Sequence, residues 1–152
     1  MKLAVFLPNW VGDAVMATPA LRSLRTEFPR AELVGVMRPV IADVLEGTGL
    51  IDYSLLYNPR GKNPSQRGGA FLKSLRAEKC EAAILFTNSL RTGWLAWRSG
   101  ATERIGFARD LRGWLLTTRL TPKSKRVPNP VIDEYNRLVE AAGCRKLSHK
   151  ME

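Results

Sequence analysis

The chain has 152 residues, of which 45% are hydrophobic and 25% charged, and its formal net charge is +10. This size and composition are typical of one soluble globular domain with a sizeable core and leave little room for two domains. No apolar run approaches the roughly 18 to 20 residues that a membrane span needs, and no cleavable leader is evident, so we expect a cytoplasmic product. Cys80 and Cys144 lack paired spacing, which predicts structural thiols and neither a zinc site nor a disulfide framework.

The positive charge is concentrated in one third of the chain. Nine Lys or Arg residues lie between Arg91 and Arg126 against only Glu103 and Asp110, so this part holds +7 of the total +10. A polyanionic partner is the functional interpretation, and phosphorylated lipid, an anionic membrane surface and nucleic acid all satisfy it. The alternative is a solvated basic face that keeps the protein soluble.

The amino-terminal stretch predicts a strand that leads through a turn into a helix. The run from Leu3 to Leu7 is apolar without alternation, which is typical of a strand covered on both faces of a parallel sheet. Pro8 and Asn9 end it, and apolar residues then recur at helical spacing as far as Phe28. A proline at position 19 would kink this helix, unless Thr18 caps a second helix that begins with Pro19.

Asp13 lies where the first strand meets the first helix. Ligands of open α/β sheets collect outside the carboxyl ends of the strands, so this position is near the expected binding crevice. Its carboxylate has two interpretations that residue type and place leave open: a helix cap that accepts backbone N–H bonds, or a base that points into the crevice.

The remaining elements alternate between strand and helix along the chain. Further strands are predicted at 31–37, 52–57, 81–86 and 101–107, and helices at 38–46, 70–79, 90–97 and 131–142, with an irregular basic segment at 117–126. This alternation predicts an α/β fold: a Rossmann-like, doubly wound, mostly parallel sheet with helices on both faces.

Two loops and one aromatic pair are candidate binding elements. Residues 60–69 form a polar, glycine-rich stretch that is either a mobile surface loop or a clamp for phosphates and carboxylates. The polar residues 87–89 either cap the next helix or hydrogen-bond sugar hydroxyls. Trp94 and Trp97 lie three residues apart on one helical face, which favours a core position over a stacking platform.

Several motifs together resemble a known family. Pro8-Asn9-Trp10-Val11-Gly12-Asp13 and Thr18-Pro19-Ala20-Leu21 resemble the opening of the ADP-heptose:lipopolysaccharide heptosyltransferases, whose fold is of the glycosyltransferase B type, and the Trp-Val-Gly-Asp form is closest to the heptosyltransferase II branch. Weaker similarity continues at Thr87-Asn88-Ser89 with Arg91, and at Arg104-Ile105-Gly106-Phe107 followed by Arg109. The chain therefore resembles the amino-terminal domain of that family.

The resemblance implies an enzyme, with Asp13 as the general base of an inverting heptosyl transfer. It implies no cofactor and no metal, with ADP-heptose as the donor substrate, bound mainly by a carboxy-terminal domain that this sequence lacks. A phosphorylated Kdo-lipid A or heptosyl inner core is the implied acceptor, reached at the cytoplasmic face of the inner membrane. The predicted acceptor-binding residues are Asn9, Trp10, Gly12, Arg60, Lys62, Asn88, Ser89, Arg91, Arg109 and Arg112.

The expected organisation is a Rossmann-like acceptor-binding domain at 1–143 and a basic tail or linker at 144–152. Such a chain would bind the acceptor and transfer nothing alone. Two alternatives come from other classes of protein: a basic nucleic-acid-binding domain that stacks its tryptophans on bases, and a non-catalytic relic that only binds glycolipid.

Overall fold

A computed structural model describes residues 2–87, 89–107, 115–120 and 131–141 of the chain. The strands of this part are β1 (Lys2–Phe6), β2 (Glu32–Met37), β3 (Tyr53–Leu56), β4 (Ala82–Leu85), β5 (Glu103–Phe107) and β6 (Thr118–Leu120). The helices are α1 (Val11–Met16), α2 (Thr18–Glu27), α3 (Pro39–Leu45), α4 (Gly68–Ala77), α5 (Leu90–Arg98) and α6 (Val131–Ala141), with a 3₁₀ turn at Pro64–Gln66. None of these helices is long and apolar enough to cross a membrane.

The six strands form one parallel sheet in the order β3-β2-β1-β4-β5-β6. The chain first builds outward from β1 to β3, then returns to the other side of β1 and builds outward again to β6. This reversal is the signature of a doubly wound sheet, so the predicted fold class is confirmed. The reversal point lies between β1 and β4, which are hydrogen-bonded neighbours.

Alternate residues of the central strands enter two separate cores. Leu3 and Val5 of β1 pack under α2, α3 and α6, whereas Ala4 and Phe6 pack under α4 and α5. A strand buried on both faces must be apolar at every position, and this explains the continuous apolar run in β1. Helices therefore cover both faces of the sheet, as predicted.

The chain between β1 and β2 forms two helices. Ala17 separates them, and Pro19 lies in the first turn of α2, where its missing N–H costs no hydrogen bond. Thr18 is not the predicted cap: it is the first residue of α2, and its hydroxyl donates to the carbonyl of Val15 at 2.8 Å. The short helix that carries Asp13 is thus separate from the main helix, as a second helix start at Pro19 implies.

Three further sequence predictions are corrected. The segment predicted to be irregular from residue 117 contains β6, which pairs with β5 and extends the sheet by one strand. The predicted loop at 60–69 contains the 3₁₀ turn and the first residues of α4. Trp94 and Trp97 are 42% and 44% exposed, so the core interpretation of this pair is wrong. Helical spacing shows which residues share a face, but it does not show whether another layer covers that face.

Candidate active site

A cleft of about 540 Å³ lies at the carboxyl edge of the sheet, beside the reversal point. The loop after β1 leads to α1 on one face of the sheet, and the loop after β4 leads to α5 on the other. Because these two loops diverge from neighbouring strands, they leave a crevice between them. The cleft is lined by residues that follow β1, β2, β3 and β4, and we call it the carboxyl-edge cleft.

Five of the predicted site residues line this cleft: Asn9, Trp10, Arg60, Ser89 and Arg91. They come from the loops after β1, β3 and β4 and from the first turn of α5, and the sheet brings them together. Among the described residues no acidic side chain lines the cleft, so its fixed charges are all positive. The arrangement suits an anionic ligand, because a guanidinium group presents paired donors to a phosphate or carboxylate.

Arg38 and Tyr57 also line the cleft, although neither is among the residues predicted from the sequence. Each follows a strand directly: Arg38 comes after β2, and Tyr57 comes after β3. Burial raises the pKa of Tyr57 above its ordinary value, and the adjacent Arg91 guanidinium opposes part of that rise. The position of both residues at the end of a predicted strand is the sequence feature that could have identified them as candidates.

Asp13 is the third residue of α1 and is partly exposed. The helix cap is Trp10, which makes no side-chain cap hydrogen bond, so Asp13 does not occupy the cap position. By contrast, the Asp52 carboxylate accepts a hydrogen bond from the Leu33 N–H at 2.8 Å and pairs with Arg25 at 2.9 Å. Within the described part of the chain, the Asp13 carboxylate makes no comparable bond. Its role as a base stays a prediction.

Asp13 and Gly12 do not line the cleft, although they follow Trp10, which does. Gly12 is exposed, and a Cβ atom built there would meet nothing within 4 Å. The fold therefore has no steric need for glycine at this position. Asn88, Arg109 and Arg112 lie outside the described residues.

Ser89 caps α5. Its hydroxyl oxygen accepts the N–H of Thr92 at 3.2 Å, as an N-cap side chain does. The Thr92 hydroxyl donates to the Ser89 carbonyl at 3.0 Å and accepts from the buried Thr87 hydroxyl at 2.7 Å. Capping is thus one use of the 87–89 segment, while Ser89 also lines the cleft.

A second, larger cavity of about 1020 Å³ adjoins the cleft between α4 and α5. Tyr57, Arg60 and Arg91 line both spaces, so the two are neighbours that share part of one wall. Apolar side chains dominate the remaining wall, and Arg67 adds a further positive charge. Lys62, which was predicted together with Arg60, lines neither space. We call this space the α4–α5 cavity.

The described residues contain neither a cluster of metal-ligating side chains nor an exposed thiol. Across the described ranges, no three His, Cys, Asp or Glu side chains lie together as a metal site would require. Cys80 is buried under α4, and burial raises the pKa of its thiol to about 11. A protonated, buried thiol is unreactive, which agrees with the structural role predicted for Cys80. Cys144 lies outside the described residues.

The chain is similar to known glycosyltransferases in sequence and in structure. The chain is 27% identical over 121 residues to lipopolysaccharide heptosyltransferase 2 of Escherichia coli, a match that covers 76% of this chain and 34% of that protein. No protein-family model matches. The curated relatives that match most of this chain are much longer than it is. The chain spans about a third of their length.

Solved structures show the same fold. A glycosyltransferase of family 9 from Veillonella parvula superposes with a TM-score of 0.79 at 23% identity, over 99% of this chain and 44% of that one. The E. coli heptosyltransferase WaaC with ADP superposes with a TM-score of 0.80 at 14% identity, over 100% of this chain and 50% of that one. In sequence and in fold, the chain is thus heptosyltransferase-like and resembles a part of the glycosyltransferases of family 9.

Proposed function

We propose that this chain is the acceptor-binding part of an inverting heptosyltransferase that acts on the inner core of lipopolysaccharide. The observation that carries the proposal is the carboxyl-edge cleft, in which Asn9, Trp10 and three arginines meet without an opposing acid among the described residues. A phosphorylated, lipid-linked saccharide has the matching chemistry. Its hydroxyls suit Asn9 and Ser89, a sugar ring suits Trp10, and its phosphates suit the arginines.

The reaction needs a base beside the acceptor hydroxyl. The hydroxyl oxygen bonds to the anomeric carbon of ADP-heptose, the bond from that carbon to ADP breaks, and ADP leaves with the electron pair. The Asp13 carboxylate takes the hydroxyl proton. Asp13 does not line the cleft itself but follows Trp10, which does; its partial exposure and its lack of a hydrogen bond to the described residues leave it available for this step. A positioned base of this kind contributes about 10² to 10⁴ in rate.

The donor site belongs to another domain. Arg38, Arg60 and Arg91 supply positive charge at the acceptor cleft, and they are grouped at one end of the sheet. In the proposed enzyme, ADP-heptose is bound mainly by a domain outside residues 1–143, and the two meet over the carboxyl edge at the cytoplasmic face of the inner membrane. The tail at 144–152 belongs to the connection between them.

The proposal is tested by Asp13→Asn in a polypeptide or complex that also contains the donor-binding domain. Asparagine keeps the size of the side chain but cannot take the proton. We expect the transfer rate to fall by about 10² to 10⁴, with acceptor affinity unchanged.

Asp43→Asn is the matched control, because Asp43 is an exposed acid on α3 that lines neither the cleft nor the cavity. It should leave transfer unchanged. Transfer at the normal rate by the Asp13→Asn protein would refute the role as a base. Loss of folding in that protein would instead assign Asp13 a structural role.

A further inference from the structure

The outer face of α5 carries a row of large apolar side chains that are exposed to solvent. Leu90, Trp94 and Trp97 recur at positions i, i+4 and i+7, and they are 45%, 42% and 44% exposed. The opposite face of the helix, which includes Leu95 and Ala96, is buried against the sheet. The helix is therefore apolar on both faces, although only one of them is used by the core. An exposed apolar group of this kind marks an interaction surface.

Arginines flank this row and no acid interrupts it. Arg91 and Arg98 each follow a member of the row by one position and are exposed, and α5 contains no Asp or Glu. The Arg98 guanidinium lies 5.8 Å from the ring centre of Trp94 and 6.0 Å from that of Trp97. A cation held over two indole rings joins the apolar and the positive parts into one surface. We call the surface formed by Leu90, Arg91, Trp94, Trp97 and Arg98 the α5 face.

The α5 face borders the proposed acceptor site. Leu90 and Trp94 also line the α4–α5 cavity, and Arg91 lines both that cavity and the carboxyl-edge cleft. A surface that binds along α5 would therefore also lie next to the cleft, at Arg91. Indole rings beside arginines match the boundary between lipid headgroups and acyl chains, where amphipathic aromatic side chains and cations are both stabilised.

We infer that the α5 face docks the protein on an anionic lipid bilayer, with Trp94 and Trp97 at the headgroup boundary and Arg91 and Arg98 on lipid phosphates. The inference rests on the proposed function, since a lipid-linked acceptor lies in such a surface. A second copy of the chain is a poorer occupant, because a symmetric contact would bring together two faces that each carry Arg91 and Arg98, with no acid on either α5 to offset the charge. Single-stranded nucleic acid is also a poorer occupant, because bases stack on open ring faces and Arg98 lies over both rings.

The test is binding of the purified chain to vesicles that contain no saccharide. We expect the chain to bind vesicles of phosphatidylglycerol mixed with phosphatidylcholine about tenfold more tightly than vesicles of phosphatidylcholine alone. Trp94→Ala with Trp97→Ala should weaken binding to the anionic vesicles about tenfold. Tryptophan emission of the unaltered chain should shift to shorter wavelength and be quenched by brominated lipid, and the double variant should lose most of both effects.

The matched control is Val40→Ala with Tyr53→Ala, which removes two exposed apolar side chains away from α5. It should bind vesicles within about twofold of the unaltered chain, since neither residue belongs to the docking surface. Circular dichroism verifies that both variants are folded. Equal weakening by the control, or absence of binding to anionic vesicles, would overturn the inference.

Two other outcomes would reassign the α5 face and also overturn the inference. One is a concentration-dependent dimer that the double tryptophan variant abolishes, and the other is retention of a single-stranded oligonucleotide that the same variant abolishes. The vesicles carry no acceptor sugar, so a failure to bind them would not contradict the proposed heptosyl transfer. Failure of the Asp13→Asn test likewise leaves vesicle binding untouched.

Discussion

Arg91 lies between the two spaces of the candidate site and contributes to the wall of each. It is exposed in the first turn of α5, it lines both the carboxyl-edge cleft and the α4–α5 cavity, and it lies beside the hydroxyl of Tyr57. Sequence reasoning placed Lys62 in the same class, as a cation on a loop that follows a strand. The structure separates the two, because Lys62 lines neither space.

Replacement of Arg91 by alanine should therefore weaken acceptor binding much more than the same replacement of Lys62. Loss of a charge-assisted pair to a phosphate costs about 1.5 to 3 kcal/mol, or about ten- to a hundredfold in affinity. Titration calorimetry with a phosphorylated, deacylated inner-core saccharide measures this. Lys62→Ala removes the same charge and should stay within about twofold, because an exposed cation outside the site acts only through screened, long-range attraction. Similar losses for both variants would mean that net charge, and not the cleft, binds the acceptor.

The start of α5 combines a structural role with a functional one. Ser89 caps the helix, Thr87 and Thr92 join the cap to the end of β4, and the next residues form both the cleft wall and the α5 face. The cap thus stabilises the first turn of α5, which carries Leu90 and Arg91. A polar segment at a strand end is suited to this double use, because it satisfies the first amides of a helix while one side stays open to a ligand.

Ser89→Ala should lower the free energy of unfolding by about 1 kcal/mol, the usual cost of losing an N-cap side chain. Ser89→Asp should keep most of the stability, because a carboxylate also accepts the Thr92 N–H. Urea denaturation followed by circular dichroism measures both. Acceptor titration then separates the two roles: a variant that folds normally but binds poorly would show that the Ser89 hydroxyl contacts the ligand. Unchanged stability of Ser89→Ala would contradict the capping assignment.

At the scale of the whole molecule, one edge of a parallel sheet collects the candidate functional groups. Asn9, Arg38, Arg60 and Ser89 follow four different strands, and they line one cleft because parallel strands end on the same side. Among the described residues, the sheet has a hydrophobic core on each of its two faces. The chain nevertheless spans about half the length of the solved heptosyltransferase structures that it matches.

The purified chain should therefore bind acceptor without catalysing transfer. With ADP-heptose and acceptor present, we expect no release of ADP above the uncatalysed rate, because the proposed donor site lies on another domain. A coupled assay for ADP, with acceptor binding measured in parallel, provides the test. Turnover by the 152-residue chain would contradict the division into acceptor and donor domains. Addition of a separate donor-binding domain that restores turnover would support it.

The sequence by itself determined the elements and their order. The apolar run of β1 requires burial on both faces, Pro19 allows either a kink or a new helix start, and the polar residues before Leu90 are able to cap a helix, and these are all local preferences. The alternation of strands and helices then leads to a doubly wound sheet. The short strand β6 was missed, because its few residues in a basic segment carry little apolar signal and are placed by pairing with β5.

Only the tertiary structure decided which side chains share a space. It brought Arg38 and Tyr57 into the cleft, left Lys62 outside it and exposed the two tryptophans of α5. The physical reason is that a repeating pattern along the chain reports which residues lie on one face of an element. Whether that face meets another layer, a cavity or solvent depends on residues distant in sequence.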